Sequence, residues 1–133
     1  MRIFRLPQHT IDRFGSSGVD MTLLPFVEHS ERTHVNVARL GAGGTLGEHP
    51  ATAPQVFALV AGEAVVSSGT GAEQVRLALR SGEAVVWGRG EVHQTWATTD
   101  VVAVVIEAGV TGGDAALGLA APFEEVTDLA ERR

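Results

Sequence analysis

The amino-acid sequence predicts an all-β fold: a single small antiparallel β-barrel, jelly-roll-like, with a short C-terminal helix. Three observations predict it. Short β-branched runs alternate with glycine-containing breaks every 8–12 residues or so, the pattern of a sandwich or barrel. No long helical period appears before the end of the chain. The 133 residues, 44% hydrophobic and 20% charged, suit one domain with one packed core.

The predicted strands are Thr22–Val27, His34–Leu40, Gln55–Val60, Ala64–Ser68, Gln74–Leu79, Ala84–Trp87, His93–Ala97 and Val101–Ala108. Between the second and third, Gly41-Ala42-Gly43-Gly44 forces a sharp turn. Gly47-Glu48-His49-Pro50 and Pro54 follow, and read as a loop because the two prolines interrupt ladder pairing. Gly62-Glu63 reads as a tight turn and Ser67 to Gly71 as a hairpin tip. Pro122 to Ala130 spaces Phe123, Val126 and Leu129 at helical intervals. Glu124 and Glu125 would face the positive end of the dipole there and Arg132 and Arg133 the negative end, so a short packing helix is expected. The domain then divides into an N-terminal arm of about residues 1–20, a barrel of about 21–109, and a tail with the helix over 110–133.

Composition removes several chemistries. The chain has no Cys, Lys or Tyr, which excludes a disulfide frame, a thiolate nucleophile, sulfur-ligated metal, a Schiff-base amine and a P-loop lysine. No G-x-S-x-G elbow surrounds any serine. A formal charge of −6 and scattered arginines oppose nucleic-acid binding. The opening segment MRIFRLPQHT lacks an apolar signal region, and the longest apolar run, Val101 to Ile106, is too short to span a bilayer; a cytoplasmic protein without a membrane partner is expected. What remains is His, carboxylate and metal chemistry, or binding alone.

Two stretches carry a resemblance. Gly43 is followed after five residues by His49, with Ala51, Gln55 and Gly62 at the later fixed positions; Gly82, Gly88, Gly90, His93 and Ala97 form a second set. These spacings resemble the two motifs of the cupin superfamily, G-x5-H-x-H-x3-E-x6-G and G-x5-P-x-G-x2-H-x3-N. Ala51 stands at the second His position, Gln55 at the Glu position, Gly88 at the Pro position and Ala97 at the Asn position. The resemblance implies a cupin-type barrel and makes His49 and His93 metal ligands, with the Gln55 amide oxygen as a third. The ion would be a divalent transition metal, with Zn, Fe, Mn and Ni not distinguished. Cupin barrels commonly pair, so a homodimer is expected.

Strand alternation supplies an independent reading. Gln55, Phe57 and Leu59 share one face, as do His93, Thr95 and Ala97. With those faces inward, Gln55 and His93 lie near one end above an apolar lining that includes Phe57, and His49 sits beside them at the mouth. Loss of a histidine donor at Ala51 and of a negative charge at Gln55 predicts weak metal binding. The bland alternative is a hydrogen bond between Gln55 and His93 that satisfies two buried polar groups. Glu91 is expected in the turn before His93. His34 reads as a surface or satisfied strand histidine of undetermined facing, as do His9 and His29. Trp96, opposite His93, is assigned to core or interface packing. Trp87 is placed to line the barrel, where its indole N–H needs a partner.

The function expected is binding of a small polar ligand at His49, Gln55, Phe57 and His93, with or without a divalent metal. The alternative is a metal-dependent enzyme of dioxygenase, isomerase or lyase type, and a further reading is an oligomerisation barrel pairing through sheet edges.

Overall fold

The computed structural model describes residues 1–25, 27–110, 113–114 and 116–133. Its strands are β1 (Arg2–Arg5), β2 (Gln8–Ile11), β3 (Val19–Thr22), β4 (Val27–Glu28), β5 (Arg32–Leu40), β6 (Thr45–Pro50), β7 (Gln55–Ala61), β8 (Glu63–Ser68), β9 (Val75–Arg80), β10 (Glu83–Trp87), β11 (Val92–Ala97), β12 (Val101–Val110), β13 (Gly113–Asp114), β14 (Ala116–Leu117) and β15 (Glu124–Glu125). Two antiparallel sheets carry the structure. One runs β13-β12-β7-β10-β1-β15 with β5 also paired to β12; the other runs β6-β11-β8-β9.

Alternation along the strands builds the core between the sheets. Phe57 and Leu59 of β7, Val85 and Trp87 of β10, and Ala103 and Val105 of β12 meet Val66 of β8, Leu77 and Leu79 of β9, and Ala97 of β11. The intervening residues Val56, Ala58, Ala84, Val86 and Ile106 face the other way, under Phe4 and Leu6. The large sheet is thus buried on both faces, which explains the nearly continuous apolar runs of its central strands.

Four expectations are corrected. Thr22–Val27 is not one continuous strand: Thr22 ends β3, which hairpins onto β2, residues 23–25 carry no strand, Val27 begins β4, and Phe26 lies outside the described residues. The loop expected over Gly47 to Pro50 is the second half of β6, because Pro50 sits at the strand's last position and leaves the ladder with β11 intact. No helix forms over Pro122 to Ala130. Glu124 and Glu125 pair with Arg5 and Phe4 of β1 instead, each carboxylate also bonding an arginine (Arg5 and Arg2), and only a 3-10 turn forms, over Leu129–Arg132. Backbone pairing to a free sheet edge prevails there over the weak helical spacing. Residues 2–5, within the expected N-terminal arm, form an inner strand of the large sheet. Among the described residues no helix is long and apolar enough to cross a membrane.

The C-terminal segment bridges the two sheets. Its β15 pairs with β1, and its 3-10 turn lies against β9. Arg132 makes a buried bidentate ion pair with Glu83, at 2.6 and 2.7 Å. That pair sits at the end of β10 opposite Trp87.

Candidate functional site at the mouth of the barrel

Backbone register assembles the site. Trp87 of β10 is the direct partner of Gln55 of β7, Gln55 of Glu107 of β12, and Glu107 of His34 of β5. Direct partners in a sheet project to the same face, so these four form one row. The next row inward is Val85, Phe57, Val105 and Asn36. Because Phe57, Val85, Trp87 and Val105 all belong to the core, the polar row faces the barrel interior at one end.

The facing sheet supplies the histidines. His93 of β11 shares its face with Thr95 and Ala97, all buried, and is the direct partner of His49 on β6. Thr95 pairs with Leu46 and His93 with His49, so β6 carries one extra residue between those pairs. This bulge reverses the side-chain alternation along β6 and turns His49 onto the face of His93. The two rings lie 4.5 Å apart between centroids, tilted by 57°. Trp87 also stacks on His93, at 4.2 Å between centroids, and contacts Phe57 at 6.3 Å; its indole N–H donates to the Ser67 carbonyl. Phe57 and Trp87 thereby make the apolar floor.

Hydrogen bonds fix the chemistry of the rings. Nδ1 of His49 lies 2.6 Å from the Gly47 carbonyl oxygen, and Nδ1 of His93 lies 3.0 Å from that of Glu91. A carbonyl only accepts, so each neutral ring carries its proton on Nδ1 and leaves a lone pair on Nε2. Burial pushes the His93 pKa below its ordinary value; the Glu91 carbonyl opposes this, the His49 charge adds to it, and the Glu91 and Glu107 carboxylates oppose it.

Glu91 lies in the turn before β11, as its position suggests. Its carboxylate is already engaged by the Met1 amine at 2.6 Å, the Ser68 hydroxyl at 2.5 Å and the Gly88 N–H at 3.0 Å. Burial alone would raise its pKa, but these donors outweigh burial and hold it below the usual carboxylate range. Ala51, at the second His position of the motif, is buried and bonded through its backbone to Glu91 and Gly90.

Gln55 does not bond to His93. Its Nε2 donates to Glu107 Oε1 at 3.0 Å, while its buried Oε1 has no partner among the described residues. Glu107 is the residue that sequence reasoning missed. The signal was present: Val101, Ala103 and Val105 share its face, so a half-buried carboxylate in phase with a core stripe is a polar group requiring a reason. Glu107 also lines a cavity of about 450 Å³ with His34, Arg32, Thr52 and Arg89, within the size range of small-molecule pockets. His34 thus faces the mouth while remaining exposed. Arg89 is committed to Asp114 and to the Thr52 and Gly113 carbonyls. Trp96 faces outward beneath the Arg76 guanidinium, 4.3 Å from its ring centroid.

Among the described residues no three His, Asp or Glu side chains stand together at metal-holding distance. The pair His49 and His93 does stand together, with two unprotonated ring nitrogens and orienting carbonyls behind them.

No protein-family model and no curated protein sequence matches this chain. Solved structures do. A cupin superfamily protein from Desulfitobacterium hafniense aligns with a TM-score of 0.54 at 14% identity, covering 64% of this chain and 75% of its own. A double-stranded β-helix protein from Klebsiella pneumoniae aligns at 0.53 and 21% identity, covering 71% and 84%. A cupin-2 domain protein from Shewanella frigidimarina aligns at 0.50 and 17% identity, covering 64% and 79%. At these identities the likeness concerns the fold, and with the strand order and the two motif spacings it shows that the chain is a cupin-type β-barrel.

Proposed function

We propose that this barrel binds a small polar ligand at its mouth through a divalent metal ion held by His49 and His93. The observation that carries the reading is the orientation of the two rings: both Nδ1 protons are spent on backbone carbonyls, leaving both Nε2 lone pairs free on adjacent rings. Metal-ligating histidines are held in this way, since the outer hydrogen bond fixes the tautomer and raises ligand basicity. Gln55 Oε1, buried and without a partner, is a third donor of suitable chemistry. When bound, such an ion supplies Lewis acidity toward an oxygen of the ligand. Phe57 and Trp87, both buried, exclude water from beneath the site, and a cavity of about 450 Å³ lies on the Glu107 side of Gln55, lined by neither His49 nor His93.

The test is a calorimetric titration of metal-stripped protein with Zn²⁺ and Ni²⁺. One ion per chain is expected, with affinity reduced on the order of a hundredfold or more in His49→Ala and in His93→Ala, as loss of a ligand from a three-donor set requires. Binding unaffected by either substitution overturns the reading.

A further inference from the structure

We infer that the cavity beside Glu107 is a second binding site, separate from the histidine pair, and that it takes a small zwitterion bearing an ammonium and a carboxylate group, as an amino acid does. The cavity, about 450 Å³, is lined by Arg32 and His34 of β5, Glu107 and Gly109 of β12, and Thr52 and Arg89 from the loops beside them. Neither His49 nor His93 lines it, so its occupant needs no ion at that pair.

Strand register opens the space. Glu107 is the direct partner of His34, and Gly109 that of Arg32, so the two pairs form successive rows on one face of the sheet. Gly109 does not have the positive φ that would call for glycine, and glycine weakens a strand interior. What its missing side chain provides is room. A Cβ at 109 would come 3.9 Å from the Arg89 guanidinium and 4.0 Å from the Ala53 methyl group, both on the cavity wall. Any longer side chain there would fill the cavity, and strands carry glycine where a ligand approaches the backbone closely.

The charges on the wall select the ligand. Arg89 is committed: its guanidinium bonds Asp114 and the carbonyls of Thr52 and Gly113, so it braces the wall. Glu31, also on the wall, is itself partnered. Arg32 makes no ion pair among the described residues. The Glu107 carboxylate takes one hydrogen bond, from Gln55 to Oε1, and among the described residues its other oxygen takes none. A guanidinium and a carboxylate thus share one concave space without pairing to each other. A simple anion would be drawn to Arg32 and repelled by Glu107, and a simple cation the reverse. A zwitterion meets both: its carboxylate accepts from the Arg32 fork, and its ammonium donates to Glu107. Gln55 holds the Glu107 carboxylate in place beforehand, which lowers the ordering cost of binding.

The experiment titrates the metal-free full chain, followed by two-dimensional ¹H–¹⁵N spectra, with each common α-amino acid and with β-alanine and 4-aminobutyrate. The N-acetyl and amide derivatives of the tightest binder follow. At least one amino acid should shift the amides of residues 32–34 and 107–109 to saturation. Blocking its amine or its carboxylate should each weaken binding by about tenfold, as loss of one charge-assisted contact predicts. Glu107→Gln, which keeps an acceptor for the Gln55 amide, should bind the parent and N-acetyl forms alike. Arg32→Gln, at an exposed position, should bind the parent and amide forms alike. Gly109→Leu should lose binding by filling the cavity. Far-UV circular dichroism and a thermal melt verify the fold of each variant, and Arg32→Gln decides the matter should Gly109→Leu not fold. If no amino acid saturates these shifts, or if both derivatives bind as well as the parent, the zwitterion site is overturned. Folded Gly109→Leu that binds like wild type, or Arg32→Gln that still prefers the parent over its amide, overturns the placement in this cavity.

Discussion

At the scale of single residues the mouth is defined by which proton sits where. His93 is buried against Trp87, and its pKa is held below its ordinary value chiefly by burial. In the unfolded chain the same group titrates near 6.5. A histidine with a depressed native pKa binds more protons when unfolded, so its contribution to stability is intact above the unfolded pKa. That contribution is lost as pH falls through 6.5 toward the native value. Metal-free protein should therefore lose stability on acidification below about pH 6.5, and His93→Phe, which keeps an aromatic against Trp87 without a titrating nitrogen, should flatten that loss. Denaturant midpoints measured across this pH range check it; equal slopes in the two proteins would show that His93 does not titrate as described.

Gln55 and Glu107 show how much of the site could be read from residue spacing alone. The motif positions identified His49, Gln55 and His93, and strand alternation placed Gln55 and His93 on interior faces. The hydrogen-bond partner of Gln55 was not legible, because it depends on which strand lies beside β7. That is a property of sheet order, and position 107 is far from 55 in the chain. His49 on β6 was misplaced in a loop for a related reason. Pro50 signals a break locally, while the bulge that turns His49 inward exists only in the register with β11.

At the scale of elements the motif glycines have a common physical cause. Gly43, Gly62, Gly82 and Gly90 all have positive φ, between 80° and 90°, where side chains are strained. Gly62 is the most constrained of them: a Cβ there would lie 2.1 Å from the Asp100 carbonyl oxygen and 2.9 Å from the Thr99 hydroxyl. The β7–β8 turn thus packs directly on the turn leading into β12. Gly62→Ala should destabilise the protein by more than the roughly 1–2 kcal/mol of left-handed backbone strain, because the clash adds to it. Gly82→Ala, with open space around the added methyl, should cost only that strain. Thermal melts of the pair measure the difference, and equal costs would contradict the close approach at Gly62. These glycines were legible because a turn needing positive φ leaves a residue-type signature in the sequence. The pairing of β15 with β1 left none, since Glu124 and Glu125 carry no strand preference and gain their place from Arg2 and Arg5.

At the scale of the whole molecule the barrel has a polar mouth and a closed far end. The far end holds the Glu83–Arg132 pair, nearly removed from solvent, with Arg132 also near the Ala78 carbonyl. The Glu83 hydrogen bond, with the Glu83 charge adding to it, holds the Arg132 pKa above its ordinary value against the opposing effect of burial. Removing one partner leaves a buried unpaired charge, so Arg132→Met should cost about 3–5 kcal/mol, whereas Arg132→Met with Glu83→Leu should cost distinctly less. Urea unfolding of the two variants reads this directly. A double variant as unstable as the single one would show that the ion pair is not what joins the C-terminal segment to the barrel. Either variant should leave ion binding at the mouth unchanged, because the pair lies at the opposite end of β10 from Trp87.

Central to the proposed function is a mouth in which two histidines, each with its Nδ1 on a backbone carbonyl, would present their Nε2 atoms to a single divalent ion. Long-range ¹H–¹⁵N spectra of the histidine rings during a Zn²⁺ titration test it most directly. The account predicts Nδ1-protonated rings for both His49 and His93 before zinc is added. It then predicts a joint shift of both Nε2 resonances that saturates at one ion per chain, with His9, His29 and His34 unmoved. Nε2-protonated rings in the free protein, or zinc shifts that leave either His49 or His93 unchanged, would contradict it.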